Sequence, residues 1–314
     1  MPTRSFRWRG FGLDVTLPAR SPRPGAEAGP GRLVFAPDLP SLAPSERDPA
    51  AAIAFRDVAH EQGRQQADLH GVTGDDDASH RIRGISWYHT IELPDGVVTP
   101  GQFDHRKLVP HYGLPSELSG KRALDVATFD GFWAFELERR GADVMAIDLD
   151  DPAEWDFPDQ VRPLVPRRGP DESGIGSGFA VAQEALGSSV KRIGRSVYDL
   201  DPDTVGQFDF VHAGDLLVHP RDPLRALQRI RSVTSGALLL SDGIDIDAPP
   251  GRFGPTMQYL GGWNDVVWWV PSLDALAQLL VDAGFRDLRL NAVYNLAKTY
   301  ETDGFWRASV TAFV

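Results

Sequence analysis

The chain of 314 residues is long enough to bury a full core, and its 42% hydrophobic and 24% charged residues are typical of a folded protein. The formal net charge of −12 argues against a protein that binds nucleic acid through a broad basic surface. The absence of cysteine excludes disulfides, zinc–thiolate sites and thiol nucleophiles. Because no apolar run is typical of a signal peptide or a membrane span, we expect a cytoplasmic protein.

The N-terminal residues 1–80 are rich in Pro, Gly and Arg and are predicted to form an extension. Prolines at this density disfavour helices and interior strands, and only residues 50–66 have the pattern of a short helix. Residues 81–314 are predicted to form one domain. At its start, two turn signals within residues 94–101 predict a small hairpin-like unit, and residues 103–112 are predicted to be helical.

From residue 122 onward, strand patterns and helix patterns alternate. This is typical of a doubly wound α/β fold with a seven-stranded, mostly parallel, Rossmann-like sheet. A Pro/Gly-rich insertion at 151–177 interrupts the alternation on the expected substrate side. Strands are predicted at 122–127, 143–148, 191–197, 208–213 and 236–241, helices at 132–140, 179–186, 223–232 and 273–283, and a final antiparallel pair of strands at 286–293 and 307–313.

The turn that follows the first of these strands, Asp125–Gly131, is the centre of the functional prediction. A buried strand ends here, and the chain enters a helix through Gly131. The next strand ends at the acidic residue Asp148. An open α/β sheet binds nucleoside-like ligands at such a turn, and an acid at the tip of the second strand accepts hydrogen bonds from ribose hydroxyls.

The turn departs from the G-x-G-x-x-G pattern, since it has Ala127, Phe129 and Gly131 at the glycine positions. A pyrophosphate at the helix N-terminus is disfavoured by the bulk of Phe129 and the charge of Asp130. S-adenosylmethionine has no phosphate and carries two cationic groups, so Asp125 and Asp130 favour it. The turn therefore indicates a methyl donor rather than a dinucleotide. Asp148 at the tip of the next strand, together with the regular alternation of strands and helices, argues against a βαβ unit that binds no ligand.

Several motifs resemble those of class I S-adenosylmethionine-dependent methyltransferases. The resemblance covers residues 85–314 and is strongest to the branch that includes the bacterial tRNA wobble-uridine carboxymethyltransferase. The motifs are SWYHTIELPDGVVTPGQFD (86–104), LDVATFDGFWAFELERRGADVMAIDLD (124–150), FDFVHAGDLLVHPRDPLRAL (208–227) and DAGF (282–285).

The resemblance implies a cofactor site built from several strand ends. The turn after the first strand would line the methionine, the acid after the second would bind the ribose, and the turn after the third would face the adenine. The end of the fourth strand would pass beneath the methionine, and residues 87–89 would fold over the cofactor. The residues implied are Tyr88, Asp125, Ala127, Thr128, Phe129, Gly131, Asp148, Leu149, Ser196, Val197, Ala213 and Gly214.

Two departures from this branch favour ordinary S-adenosylmethionine. Carboxymethyl-transferring members are expected to hold an extra carboxylate with cationic and tyrosyl side chains. This chain has Leu216–Val218 where the tyrosine is expected, and no clear arginine within Lys298–Gly304. We therefore predict transfer of a methyl group from unmodified S-adenosylmethionine.

Methyl transfer to a hydroxyl requires an aligned acceptor and a group that removes the proton. His219, Asp242 and His89 are the candidate bases. The alternatives are a helix-orienting role for His219 and a capping role for Asp242. Asp242 and Asp245, together with Asp247, are also close enough in sequence to bind Mg²⁺, although acidic loops are usually only solvated.

The Gly-rich connection at 252–272 is predicted to cover the acceptor. Tyr259, Trp263 and Trp268 in this segment have aromatic faces that pack well against sugar rings, and the alternative is a small satellite core. The insertion at 151–177 is a candidate lid.

The predicted function is methylation of a hydroxyl on a small sugar-like or specialised metabolite by S-adenosylmethionine. The alternatives are a tRNA wobble-uridine modifying enzyme, a non-catalytic cofactor-binding module and a nicotinamide-dependent oxidoreductase. A small-molecule acceptor is the expected partner, and neither nucleic acid nor a membrane is expected. The sequence is compatible with a homo-oligomer.

Overall fold

The chain divides into two compact units, residues 1–30 and residues 31–314. The first unit contains the antiparallel strands β1 (Thr3–Trp8) and β2 (Phe11–Thr16). The predicted helix at 50–66 lies outside the described residues. The computed structural model describes residues 3–8, 11–16, 33–35, 82, 85, 87–159, 162, 176–248, 254–262, 266–299 and 304–314.

The second unit is built on an eight-stranded sheet. Its spatial order is β3-β11-β12-β8-β7-β4-β5-β6, and β9 and β10 form a separate antiparallel pair. In the large sheet, β12 runs antiparallel to both neighbours, whereas the other paired strands are parallel. The strands are β3 (Leu33–Phe35), β4 (Arg122–Val126), β5 (Asp143–Asp148), β6 (Lys191–Gly194), β7 (Phe208–Gly214), β8 (Thr234–Gly243), β9 (Met257–Tyr259), β10 (Trp269–Pro271), β11 (Asp287–Leu296) and β12 (Phe305–Phe313).

Helices cover both faces of this sheet and begin or end at recognisable signals. The Asp222 side chain accepts a hydrogen bond from the backbone N–H of Arg225, and Ser272 caps the last helix in the same way. Gly141, with φ of 91°, follows the first helix in the left-handed conformation. The helices are α1 (Phe132–Arg139), α2 (Ser177–Leu186), α3 (Pro202–Val205), α4 (Pro223–Val233) and α5 (Leu273–Asp282).

Two hydrophobic clusters occupy the two faces of the sheet. Successive residues of a strand point to opposite faces, so Leu124 and Val126 join the cluster beneath α4 and α5, while Ala123 joins the other. The second cluster includes α1, α2 and buried residues from positions 82–118, among them Trp87. The doubly wound fold and the antiparallel final strands are thus confirmed, and β3 adds a short eighth strand.

The predicted helix at 103–112 is wrong. These residues form turns, with a single 3₁₀ turn at Val109–His111. The Asp104 carboxylate accepts a hydrogen bond from the backbone N–H of Arg106 at 3.1 Å, which offers the chain a local alternative to a helix. Pro110 lacks the N–H that a longer helix would need.

The third parallel strand, β6, is shorter than predicted. It ends at Gly194, and Val197–Asp199 form a 3₁₀ turn instead of extending the strand. The Ser196 side chain begins this turn by accepting a hydrogen bond from the N–H of Tyr198 at 3.3 Å. Across the described ranges, no helix is long and apolar enough to cross a bilayer.

Candidate functional site

The turn after β4 has a backbone that few side chains adopt. Ala127, Phe129 and Gly131 have φ values of 60°, 48° and 90°. At Gly131 a Cβ atom would lie 2.6 Å from the rings of Phe135 and Phe179, so only glycine fits. This strained turn brings the backbone close to the carboxyl edge of the sheet, where ligands of open α/β folds bind.

Asp148 ties this turn to the tip of β5. Its carboxylate accepts hydrogen bonds from the backbone N–H groups of Phe129 and Leu149, both at 2.7 Å. Burial raises the pKa of Asp148 to about 6, although these two bonds oppose the shift. The residue as a whole is only partly buried at this edge.

Asp125 is buried and is paired with a histidine of the neighbouring strand. Its Oδ1 lies 2.7 Å from Nδ1 of His212 in β7. Asp125 Oδ2 and His212 Nε2 are buried and have no hydrogen-bond partner among the described residues. A buried carboxylate oxygen without a partner is costly unless something absent from the chain completes it.

A second buried acid, Asp130, holds the segment at 87–89 across the turn. Its Oδ2 accepts the backbone N–H groups of Tyr88 and His89, each at 2.7 Å. Its Oδ1 lies 3.8 Å from Nδ1 of His89 and has no hydrogen-bond partner among the described residues. The Tyr88 ring centroid is 5.4 Å from that of Phe129, so this segment lies beside the turn.

The residues predicted to bind a cofactor converge at this edge. Ser196 and Val197 follow β6, Ala213 and Gly214 end β7, and Tyr88 reaches the β4 turn from outside the sheet. The folded chain therefore brings these predicted residues together at the ends of adjacent strands.

The first part of the insertion, residues 151–159, is fixed to the same edge. The Asp156 carboxylate accepts hydrogen bonds from the Tyr198 hydroxyl at 2.8 Å and from the N–H of Arg221 at 2.9 Å. Its backbone carbonyl accepts the indole N–H of Trp268 at 2.6 Å. Residues 160–161 and 163–175 of the predicted lid lie outside the described residues.

Asp215, directly after β7, was missed by the sequence predictions. It has a left-handed φ of 47°, and its carboxylate accepts the Tyr88 hydroxyl at 2.8 Å and Nε of Arg307 at 2.6 Å. Burial opposes ionisation of Asp215, but the Arg307 guanidinium outweighs it and lowers the pKa to about 2. Arg307, the one charged residue of β12, is the signal from which this pair could have been found.

Arg307 bears on the expectation that this chain lacks an arginine near its C-terminus. The sequence search covered Lys298–Gly304, whereas the arginine that reaches this edge lies in β12, just beyond that range. Its charge is neutralised by Asp215. Arg307 is therefore present at the edge but is engaged within the protein.

The three candidate bases differ in their surroundings. His219 is partly exposed, and its Nδ1 lies 3.3 Å from the Val266 carbonyl oxygen. His89 is buried, and its ring centroid lies 5.3 Å from that of His105 and 5.7 Å from that of Phe132. His105, which the sequence predictions also missed, has a pKa well below its usual value because burial disfavours its charged form.

Asp242 has the contacts of a capping carboxylate, not those of an accessible base. It is 0% exposed, and it accepts the backbone N–H groups of Leu216, Leu217 and Gly243. Burial raises its pKa to about 7, and these bonds oppose the shift. The alternative role that the sequence left open, a loop cap, fits this geometry, because every contact serves to hold the β7 and β8 loops together.

The predicted Mg²⁺ site gains no support. Asp242 is engaged by backbone donors, and Asp245 accepts the N–H of Asp247 at 3.1 Å. Within the described ranges, no group of three or more His, Cys, Asp or Glu residues is placed to hold a metal ion.

The aromatic connection contains one exposed ring and two anchored ones. Tyr259 is 62% exposed, and its ring centroid is 5.1 Å from that of Trp269. Trp269 donates its indole N–H to the Arg221 carbonyl at 3.1 Å, while Trp268 is buried. Trp268 therefore packs beneath the connection, and Trp263 lies outside the described residues.

A mostly parallel sheet with an antiparallel β12 and an acidic turn after β4 is consistent with the fold of S-adenosylmethionine-dependent methyltransferases. A model of the methyltransferase domain family matches residues 106–290, more than half of the chain. The chain belongs to this family and is an S-adenosylmethionine-dependent methyltransferase.

Several solved structures are similar to the chain at low sequence identity, and the first of them shows the same fold. The N-terminal domain of EvdMO1, in the presence of SAH and D-fucose, is 16% identical over 76% of this chain and 95% of that chain, with a TM-score of 0.50. The magnesium protoporphyrin IX methyltransferase of Synechocystis PCC 6803, with bound SAH, is 15% identical over 83% and 98%, with a TM-score of 0.43.

A methyltransferase from Mesorhizobium loti is 16% identical over 66% of this chain and 96% of that chain, with a TM-score of 0.42. No curated protein sequence matches the chain significantly. The family match shows the class, and the tRNA-modifying branch that the motifs favoured is not confirmed.

Proposed function

We propose that this enzyme transfers the methyl group of S-adenosylmethionine to a hydroxyl of a small sugar-like or specialised-metabolite acceptor. The observation that carries the proposal is a pair of buried carboxylate oxygens beside the β4 turn, Asp125 Oδ2 and Asp130 Oδ1, which accept no hydrogen bond from the part of the chain that the structure describes. Two buried acceptors are suited to a ligand that brings cationic donors, and the cofactor's methionine end carries an ammonium group and a sulfonium.

The remaining cofactor contacts follow from the same edge. Asp148 is the proposed ribose ligand, because its carboxylate keeps lone pairs beyond those used by Phe129 and Leu149. Ser196 and Val197 are proposed to flank the adenine. Tyr88 is proposed to cover the methionine end.

A dinucleotide fits this turn poorly. The Phe129 side chain and the buried Asp130 carboxylate occupy the entry to α1, where a pyrophosphate would need small residues and positive potential. The turn therefore suits a methyl donor better than a nicotinamide cofactor.

His219 is the proposed base. The bound cofactor supplies a methyl carbon activated by its sulfonium, and the enzyme must orient an acceptor hydroxyl and take up its proton. If Nδ1 of His219 donates its proton to the Val266 carbonyl, the neutral ring has Nε2 as its basic nitrogen. His219 is also the least buried of the three candidates, since His89 is 4% exposed and Asp242 is 0% exposed.

A sugar-like acceptor is proposed from the aromatic connection. The exposed Tyr259 ring and its neighbour Trp269 offer apolar faces of the kind that pack against sugar rings. The EvdMO1 domain, whose fold this chain shares, was crystallised with D-fucose, and we extend that ligand class to this enzyme as part of the proposal.

The proposal is tested by incubating the purified enzyme with S-adenosylmethionine labelled in its methyl group and pools of glycosides, hydroxylated metabolites and tRNA. Mass spectrometry should find the label on a hydroxyl oxygen of a small molecule. Label on tRNA uridine would support the alternative branch. Binding of S-adenosylhomocysteine without transfer to any pool would favour a non-catalytic module.

A further inference from the structure

We infer that Asp215 is a positioning residue that fixes Tyr88 over the cofactor turn. The inference rests on the proposed function, because it assigns Tyr88 a place beside the methionine end of the cofactor. It adds a pair of residues, Asp215 and Arg307, to which neither the motifs nor the family match gives a role. The segment 87–105 is called the strap below.

The position of Asp215 is itself tightly determined. Its backbone N–H donates to the Ser241 carbonyl at 2.8 Å, and its φ of 47° directs the chain out of β7 in a conformation that a non-glycine residue rarely adopts. Strained residues of this kind persist where surrounding contacts determine them and concentrate at functional sites. The carboxylate is thereby placed between the strap and β12.

Arg307 stabilises the ionised Asp215 carboxylate and fixes its position. The guanidinium is buried in β12, and besides Asp215 it donates through Nη1 to the carbonyl oxygens of Leu296 and Phe305, at 3.1 and 3.0 Å. It also lies 5.1 Å from the ring centroid of Phe103, a strap residue. Arg307 therefore supports both the acid and the strap that the acid holds.

Tyr88 is held from two strand ends at once. Asp130, after β4, accepts its backbone N–H at 2.7 Å, and Asp215, after β7, accepts its hydroxyl at 2.8 Å. The first contact fixes the main chain, so the second determines where the ring points. The ring lies between Phe129 of the turn and Phe103 of the strap, with centroid distances of 5.4 and 4.9 Å.

The cleanest test removes only the Tyr88 hydroxyl. In isothermal titration with S-adenosylhomocysteine, Tyr88→Phe should raise the Kd about tenfold, because a charge-assisted hydrogen bond that orders the ring is lost. Tyr294→Phe is the matched control, since it removes a buried hydroxyl whose partner is Ser241 Oγ at 2.8 Å. The control should bind within about twofold of the wild type, as expected where no ligand contact is changed.

Asp215→Asn supplies the second arm, because asparagine also tolerates the left-handed conformation. It should weaken binding as Tyr88→Phe does, and the double variant should be no weaker than Asp215→Asn alone. If Asp215→Asn fails to fold, Tyr88→Phe and its control still decide the matter.

If Tyr88→Phe binds S-adenosylhomocysteine with the same Kd as the wild type, the inference is overturned, while the proposed function is not affected. An equal loss in Tyr294→Phe would also overturn it, since the effect would then be general loosening. Failure of the wild type to bind S-adenosylhomocysteine would instead contradict the proposed function.

Discussion

The two sides of the carboxyl edge are assembled in different ways. On the donor side, formed by the ends of β4 and β5, the Asp148 bond to Phe129 joins residues only 19 positions apart. On the acceptor side, around the loop after β7 and the aromatic connection, the Arg221–Asp156 and Trp268–Asp156 bonds span 65 and 112 positions. The β4–α1–β5 unit of the donor side is thus encoded by a short stretch of sequence, although His212 and Tyr88 reach its acids from 87 and 42 positions away. The acceptor side exists only once distant segments meet.

This difference has a functional counterpart. The donor side presents acids and a strained backbone suited to one conserved type of ligand, while the acceptor side combines His219 with aromatic rings from a long connection. If the two sides act independently, substitutions on one should leave binding on the other unchanged. Substitutions on each side of the edge test that separation.

His219→Asn should lower kcat about 100-fold, because general bases contribute rate factors of this order, and should leave the Kd for S-adenosylhomocysteine within about twofold. Steady-state kinetics with the acceptor found by label transfer, and titration calorimetry, measure the two quantities. His111→Asn, at an exposed histidine, is the control. A kcat equal to the wild-type value would remove His219 from the mechanism.

Asp148→Asn should raise the Kd for S-adenosylhomocysteine about 50-fold, since an amide offers a single acceptor where a carboxylate offers two and loses charge-assisted bonds. Asp143→Asn removes an exposed charge at the opposite end of β5 and should have no effect. Unchanged affinity in Asp148→Asn would show that the ribose is bound elsewhere.

The pH dependence of cofactor affinity should also follow the protonation of Asp148. Its pKa of about 6 in the free protein means that protonation begins to remove the proposed ribose ligand near that pH. The Kd should rise about tenfold between pH 7 and pH 5, and Asp148→Asn should abolish this dependence. A wild-type Kd that is flat over this range would contradict the assignment.

The same group makes the opposite prediction for stability. Because folding raises the Asp148 pKa above its ordinary value, its contribution favours the folded state at low pH and is lost as the pH rises through about 6. The free energy of unfolding of the wild type, measured by urea denaturation, should include this loss between pH 4 and pH 7. Asp148→Asn should remove this part of the pH dependence. An identical pH profile in the variant would contradict the raised pKa.

Tyr259→Ala should have the smallest effect, a rise of about fivefold in the acceptor KM, because stacking of one exposed ring is worth roughly 1 kcal/mol. Tyr259→Phe keeps the ring and should behave as the wild type. If the alanine variant instead weakens S-adenosylhomocysteine binding, the two sides of the edge are not separate.

The sequence predictions follow the same division. The spacing from Arg122 to Asp148 predicted two strands and the intervening helix to within one residue, because each element is specified by its own pattern and by local turn chemistry. The predicted helix at 103–112 was wrong, since contacts of Asp104 and the presence of Pro110 outweigh the helical pattern.

Asp215 and Arg307 were not predicted from the sequence for a related reason. Asp215 and Arg307 are ordinary charged residues until the ends of β7 and β12 bring them to within 2.6 Å. Likewise, the capping role of Asp242 depends on the loop at Leu216 and Leu217, which approaches it only in the fold. Periodicity predicts which face a residue occupies, but it carries no information about which distant side chain it meets.

The central claim is that the acidic turn at Asp125–Gly131 selects S-adenosylmethionine over a dinucleotide. Parallel calorimetric titrations of the wild-type protein with S-adenosylhomocysteine and with NAD⁺ test it most directly. We predict saturable binding of S-adenosylhomocysteine and none of NAD⁺. Binding of NAD⁺, or of neither ligand, would contradict the account.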